Sequence, residues 1–386
     1  MKILYVLNDT MKLGGTESVV LNYYDHINHN TINIDFMLHT TKEEMDNNQI
    51  CDKLKQTGAN IFCVTPRNIS IKKNKQDIYN VLKTNKYDAV HSHADCVGAY
   101  ILKIAKQAGI KIRIAHSHST QIPIKPDSLK NILHIMYLEY CRYNICKQAN
   151  YYMACSLAAG KWLFGKKNVE SGKVYILKNA IDLDKFGFNF SKRKEIKEKL
   201  KLQNNFVVGH VGRFSNEKNH KFLIKVFFNI YQKNKNARLL LVGTGEYFEQ
   251  IKNMVKALKL EHAVVFYGNS SNVSELLQVM DVFVFPSLYE GLGIVLIEAQ
   301  VNGLPCYVSD CKNVSKEACI TDLVTTCKLS NPAEWAEKIV SQKNQRKNYF
   351  DIIRDKGYDI FLEAEKLEHY YLELKNKKNY KNNINR

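Results

Sequence analysis

Asp281-Val282-Phe283-Val284-Phe285-Pro286-Ser287-Leu288-Tyr289-Glu290-Gly291-Leu292-Gly293-Ile294-Val295-Leu296-Ile297-Glu298-Ala299 is the stretch from which the rest of the chain is read. Val282 to Phe285 is a short apolar run of the kind that fills a buried parallel strand. Pro286 and Ser287 end it, and a loop holding Gly291 and Gly293 leads into an apolar helix starting near Ile294. In an open parallel sheet, ligands lie outside the carboxyl ends of the strands, where the next helix begins. Backbone N–H groups there suit an anion, and the two glycines let the chain approach it closely. Two carboxylates share the unit, Glu290 ahead of the helix and Glu298 inside it. The ligand expected is one with phosphate for the amides and hydroxyls for the carboxylates, as in a nucleotide sugar.

At 386 residues the chain exceeds the size at which one core keeps growing, so two domains are expected. A hydrophobic content of 45% argues against wholesale disorder. The net charge of +18 fits either a solvated Lys- and Asn-rich surface or a face drawn to anionic lipid or another polyanion. Nucleic acid is disfavoured, because no basic stretch interleaved with aromatics sits in a recognisable nucleic-acid module. The ten cysteines include no Cys-x-x-Cys pair, and neither Cys141/Cys146 nor Cys306/Cys311 has zinc spacing. They read as reduced, buried thiols of a cytosolic protein. Ile3 to Leu7 is too short for the core of a signal peptide, and no apolar run approaches a membrane span. Membrane attachment, where it occurs, is then peripheral.

Working outward from 281–299, the β/α alternation runs in both directions. Strands are expected at Ile3–Leu7, residues 32–36, Ala59–Val64, Tyr87–His91, Lys111–Ala115, Tyr151–Ala154 and Val174–Leu177. Helices are expected at Thr16–Ile27, Lys42–Gln56, 75–85, Ala94–Ala108, Ser128–Gln148 and 156–165. Asn179 to Phe186 reads as a connector, followed by a Lys-rich, solvated helix over Ser191–Lys201. The second series restarts at Phe206–Gly212 and continues with strands at Arg238–Val242, Ala263–Tyr267, Val282–Phe285 and Pro305–Val308. Strand-to-helix spacing implies parallel sheets with right-handed crossovers. The expected boundaries are a first Rossmann-like domain over 1–185, a linker over 186–203, a nucleotide-sugar domain over 204–357, and a C-terminal helix and tail over 358–386.

Further motifs accompany Glu290-x7-Glu298: Gly212-Arg213-x4-Lys218, Val242-Gly243-x-Gly245, Gly303-Leu304-Pro305 and Asn179-x-x-Asp182-x3-Phe186. Together, and in this order, they resemble the retaining glycosyltransferases of family 4, and the likeness covers most of the chain. Within that family it is closest to the branch that assembles capsular and exopolysaccharides. The resemblance implies a GT-B fold: an α/β architecture of two Rossmann-like domains facing an interdomain cleft, with the C-terminal helix crossing back to the first.

Arg213 and Lys218 follow the first strand of the second domain, where breaking a sugar–phosphate bond needs cations. Preorganised donors aimed at such charge each lower the barrier by about 3 kcal/mol. The resemblance implies that Glu298 binds the ribose hydroxyls and Glu290 the donor sugar. It further implies that amides over Gly291, Leu292, Gly293 and Ile294 hold the distal phosphate, with Gly212 beside them and Gly268 near the base. From the first domain, Gly14, Gly15, Thr16 and Glu17 open a helix toward the diphosphate and acceptor. The resemblance also implies a histidine contacting the donor sugar in Ala115-His116-Ser117-His118, with His118 favoured over His116. His91 and His93 are candidates for the acceptor side and equally for structural histidines. Asp182-Leu183-Asp184 spells Asp-x-Asp, but it lies in the connector, so no metal ligand is assigned and no cofactor is expected.

The reading is transfer from a nucleoside-diphosphate sugar, UDP-sugar favoured, to a hydroxyl of a lipid-linked saccharide by a metal-independent hexosyl- or N-acetylhexosaminyltransferase. The setting is cytoplasmic, with peripheral contact at the inner face of an anionic membrane. Glu290 and Glu298 are spaced as an acid/base pair would be, but with Arg213 and Lys218 handling charge they read better as hydroxyl ligands. The rival readings are another GT-B enzyme (an epimerase or a phosphorylase) and a catalytically silent sugar-nucleotide-binding partner subunit.

Overall fold

The alternation of short apolar runs with helical stretches resolves into two separate parallel sheets. A computed structural model describes residues 1–8, 14–122, 124–290, 292–310, 316–342 and 346–384, with side chains described up to residue 377. Contacts divide the chain into Met1–Ala180 with Ile360–Arg386, and Ile181–Asp359.

The first unit holds β1 (Lys2–Leu7), β2 (Asn33–His39), β3 (Ile61–Val64), β4 (Ala89–Ser92), β5 (Ile112–Ser117), β6 (Tyr151–Ala154) and β7 (Val174–Ile176). They lie in the order β3-β2-β1-β4-β5-β6-β7, every neighbour parallel. Ile3, Leu4, Tyr5 and Val6 are all buried, so both faces of the central strand are covered and its sequence is apolar without alternation. The strand order reverses between β1 and β4. Chain leaving these two strands turns to opposite faces and opens a crevice there.

The second unit holds β8 (Phe206–Val211), β9 (Ala237–Val242), β10 (Val264–Gly268), β11 (Val282–Phe285), β12 (Cys306–Ser309) and β13 (Val324–Cys327), in the order β10-β9-β8-β11-β12-β13. Its reversal falls between β8 and β11, the strands preceding Gly212–Lys218 and Pro286–Gly293. Strand β13 was not among the expected strands. Val324-Thr325-Thr326-Cys327 pairs with β12 at the sheet edge, and its two threonines are exposed, which leaves little apolar signal to read.

Local chemistry shifts several boundaries. The single helix expected over 42–56 is two, Lys42–Asp46 and Gln49–Gln56, because the Asn48 side chain accepts from the Ile50 and Cys51 amides and caps a new start. The helix expected from Ala94 begins at Gly98, after a short turn over Asp95–Val97 in which Asp95 has φ +42°. The Lys-rich helix spans Phe190–Lys199 and is not simply solvated. Arg193 (2.6 Å) and Lys197 (3.3 Å) both pair with Asp281, which also accepts from the Val207 amide. The C-terminal helix, Ile360–Ile384, returns to the first unit, where Tyr371 is buried. Among the described residues, no helix is long and apolar enough to cross a membrane.

Candidate active site

At the β8/β11 reversal, two loops are sewn together. The Leu288 amide donates to the Glu217 carbonyl (2.7 Å), and Asn219 donates to the Pro286 carbonyl (3.2 Å). This brings Lys218 Nζ to 2.5 Å from Glu290 Oε1, with the side chains only 17% and 11% exposed. Ser287 Oγ donates to the same carboxylate oxygen at 3.0 Å. Lys218 also lies over the Phe285 ring, 5.1 Å from its centroid. Gly212 makes room for this lysine, since a Cβ there would sit 3.2 Å from Lys218 Cδ. The two residues assigned to phosphate and to sugar thus share one partly desolvated pair.

Beside them begins the helix Ile294–Val301. Its N-cap is Gly293, at φ +76°, which supplies no side-chain cap to the first-turn amides. Helix ends of this kind suit an anion. Leu292 is buried and Ile294 half-buried, whereas Gly291 lies outside the described residues. Glu298, on the same helix, is half-buried; burial raises its carboxyl to about 7, against an opposing pull from Lys185. Arg213 is different: its side chain is 69% exposed and lies 3.9 Å from Glu246, itself 59% exposed, rather than in the Lys218–Glu290 pair. Gly268 ends β10, and its carbonyl accepts from the Gly243 amide at 2.8 Å. Gly243 packs against the Gly212 carbonyl where a Cβ would be only 2.2 Å away, so the loops after β8, β9 and β10 form one rim.

In the first unit, Gly14 caps the helix Gly15–His26 without a side-chain bond, and Thr16 is half-buried in its first turn. The Glu17 carboxyl lies over Gly14, where a Cβ would meet its Oε2 at 2.4 Å. Residues 9–13 lie outside the described residues.

The ends of β4 and β5 carry four histidines at alternate positions on adjacent strands, hence on one face. His91 stacks on His93 (4.1 Å, 29°) and His116 on His118 (4.0 Å, 28°). Hydrogen bonds close the box: His91 Nε2 to His116 Nδ1 (3.1 Å) and His93 Nδ1 to His118 Nε2 (3.0 Å). Burial pushes all four far below the ordinary imidazole value, His118 to about 3, so they are neutral. His118 is half-buried while His116 is fully covered, so His118 is the more accessible of the two.

Two supports of this box escaped the sequence reading. Asp95 accepts from the His118 amide (2.7 Å) and from Ser119 Oγ (3.2 Å), and its carboxyl is raised to about 6 by burial. Its place two residues beyond His93 was the available clue. Tyr371 binds His91 Nδ1 and Tyr5, both at 2.7 Å. Nothing local links a residue of the last helix to His91.

His91, His93 and His116 offer nitrogens within 4.8 Å of one another, close enough to suggest a shared ion. Their stacking argues against one. A lone pair lies in the ring plane, and rings stacked 4.1 Å apart cannot both aim at a point about 2.0–2.1 Å from each nitrogen. Asp182 accepts from the Lys185 amide and caps the helix Leu183–Phe186, in whose first turn Asp184 lies.

The profile described as glycosyltransferase family 4 matches residues 13–185, and that of glycosyl transferases group 1 matches 191–359. A Bacillus subtilis relative, named "Putative glycosyltransferase EpsF", is 32% identical over 373 residues, covering 93% of each chain. The chain belongs to the family 4 glycosyltransferases. An Escherichia coli relative, named as a UDP-Gal:alpha-D-GlcNAc-diphosphoundecaprenol alpha-1,3-galactosyltransferase, is 30% identical over 72% of this chain and 74% of its own. Anabaena HepE, solved with UDP and glucose, superposes with a TM-score of 0.74 over 97% of this chain and 100% of its own at 18% identity, and so speaks to the fold. The protein is therefore a GT-B glycosyltransferase, and the two strand-order reversals are where this family 4 enzyme gathers its polar residues.

Proposed function

We propose that the protein transfers a hexosyl or N-acetylhexosaminyl group from a UDP-sugar, with retention of configuration, to a hydroxyl of a lipid-linked saccharide. The product would be a capsular, exopolysaccharide or related cell-surface glycan, made from the cytoplasmic side of the membrane. The Lys218–Glu290 pair beside the uncapped start of Ile294–Val301 carries this reading. It sets a cation and a hydroxyl ligand next to amides suited to a diphosphate. The E. coli relative supports the donor and the acceptor class, since its name specifies UDP-Gal and an undecaprenol-linked acceptor.

In this scheme Glu298 accepts from the ribose hydroxyls and Glu290 from the donor sugar, while Lys218, Arg213 and the helix amides replace a divalent ion at the diphosphate. The bond from the anomeric carbon to the phosphate oxygen breaks as the acceptor oxygen joins the same face. The acceptor's proton leaves with the departing phosphate. Glu290 is engaged by Lys218 and Ser287, which supports a gripping role over that of a covalent nucleophile.

The test is a thermal-shift panel of nucleoside diphosphates and their sugars, since a ligand of the folded state raises its stability. Turnover with an undecaprenyl-diphosphate saccharide follows, with the product anomer read by NMR. Stabilisation by UDP species, activity unaffected by EDTA and a retained anomer are expected. An inverted product, a trapped glycosyl–enzyme adduct or donor conversion without acceptor would overturn the scheme.

A further inference from the structure

The helix Leu129–Gln148, capped by Ser128, carries two apolar stripes where a surface helix needs one. Leu138, Cys141 and Ile145 face inward and belong to the core of the first unit. Leu129, Leu133, Met136, Tyr140 and Tyr143, spaced four, three, four and three residues apart, face outward, from 58% exposed at Leu133 to 77% at Tyr143. Burial in the core therefore does not account for them. Beside the helix, Arg67 lies close enough to act electrostatically on Tyr137, and Ile69 and Ile71, which follow it in the chain, are 64% and 65% exposed. A face of this make-up is not a routine monomer surface.

We propose that this face seats the protein on the surface of an anionic bilayer. The proposal takes its purpose from the lipid-linked acceptor read above, but the docking itself needs no substrate. Charge selects the occupant. Lys125 and Lys130 flank the start of the helix and Lys147 its end, while Lys72 and Lys73 follow Ile71. The one acid within the helix, Glu139, is paired with Arg142 at 2.7 Å. Tyr140 and Tyr143 supply rings with a polar tip, suited to the headgroup level, and Lys147 lies 5.0 Å from the Tyr143 ring centroid. A second copy is disfavoured as the partner, because it would set one chain of net charge +18 against another. An anionic leaflet attracts the same lysines.

The test is flotation of the full chain, without donor or acceptor, on vesicles of phosphatidylcholine alone and of phosphatidylcholine with phosphatidylglycerol, at low and high salt. Binding to the anionic vesicles, weakened by salt, is expected. The double variant Leu133→Gln/Met136→Gln, at exposed positions, should lose binding by about tenfold while keeping its melting temperature and its thermal shift with UDP. Two results overturn the proposal: no flotation, or flotation that the double variant leaves unchanged. So does a dimer in sedimentation velocity that the variant dissociates in the absence of vesicle binding. Failure of the acceptor reading would look different: the protein would float normally yet glycosylate only water-soluble saccharides.

Discussion

Lys218 and Glu290 are 72 positions apart, and neither motif alone says that they touch. Read singly, one is a surface cation and the other a loop carboxylate. The fold makes them a pair held out of bulk water, so each is costly to remove without the other. Lys218→Ala is expected to lower kcat by about 10²–10³-fold, the range for losing a preorganised donor to developing charge. Circular dichroism would remain that of the folded protein, and near-normal turnover in such a folded variant would sink the assignment. Glu298 offers a prediction in pH. Burial raises its carboxyl to about 7, so at lower pH it holds a proton that ribose hydroxyls must displace to donate to it. UDP affinity should therefore rise as pH climbs toward about 7 and level off above it, with a proton released on binding below that point. Calorimetry in two buffers of different ionisation enthalpy reads that proton, and Glu298→Gln should reduce both effects to what the terminal phosphate of UDP, which itself titrates at about 6, contributes. A pH-independent affinity in the native chain would remove Glu298 from the ribose.

Between strands and helices, the site is a matter of how loops pass one another. Gly243, at φ +131°, lies against the Gly212 carbonyl and lets the loop after β9 pack on the one that carries Arg213 and Lys218. Gly243→Ala adds backbone strain on the order of 1–3 kcal/mol before the clash is counted. The expected outcome is a lower melting temperature together with weakened UDP binding. A variant that melted normally and bound UDP normally would show that this packing does not shape the donor loops. The histidines follow a related logic. Residues at i and i+2 share a face on one strand, so 91/93 and 116/118 were legible as two same-face pairs. That the pairs face each other depends on β4 and β5 being neighbours.

Across the whole molecule, burial has made histidines an acid liability. His39, His91, His93, His116, His118, His210 and His220 are all shifted below 6.5, with burial the first cause in each. In the folded chain they stay neutral below the pH at which the unfolded chain takes up protons. The unfolded state thus binds more protons, and stability falls as pH drops below about 6.5, by up to about 1.4 kcal/mol per pH unit for each group. Glu298, between its ordinary value of 4.5 and about 7, and Asp95, between 3.8 and about 6, work the other way, gaining stability as pH falls, but they are two groups against seven. A melting temperature roughly level above about pH 7 and falling steeply below about 6 is expected in scanning calorimetry; a level profile down to about pH 5 would contradict it. Two βα series, their restart near Phe206 and the glycine-rich turns before helices were legible in the sequence alone. Apolar run length, glycine placement and strand-to-helix spacing are local quantities, set by the period of the backbone. Tertiary structure alone decided that Lys218 meets Glu290, that Tyr371 closes on His91, that β13 extends the sheet and that the second stripe of Leu129–Gln148 stays outside. Each of these depends on strand order and on contacts between residues far apart in the chain, which no local pattern encodes.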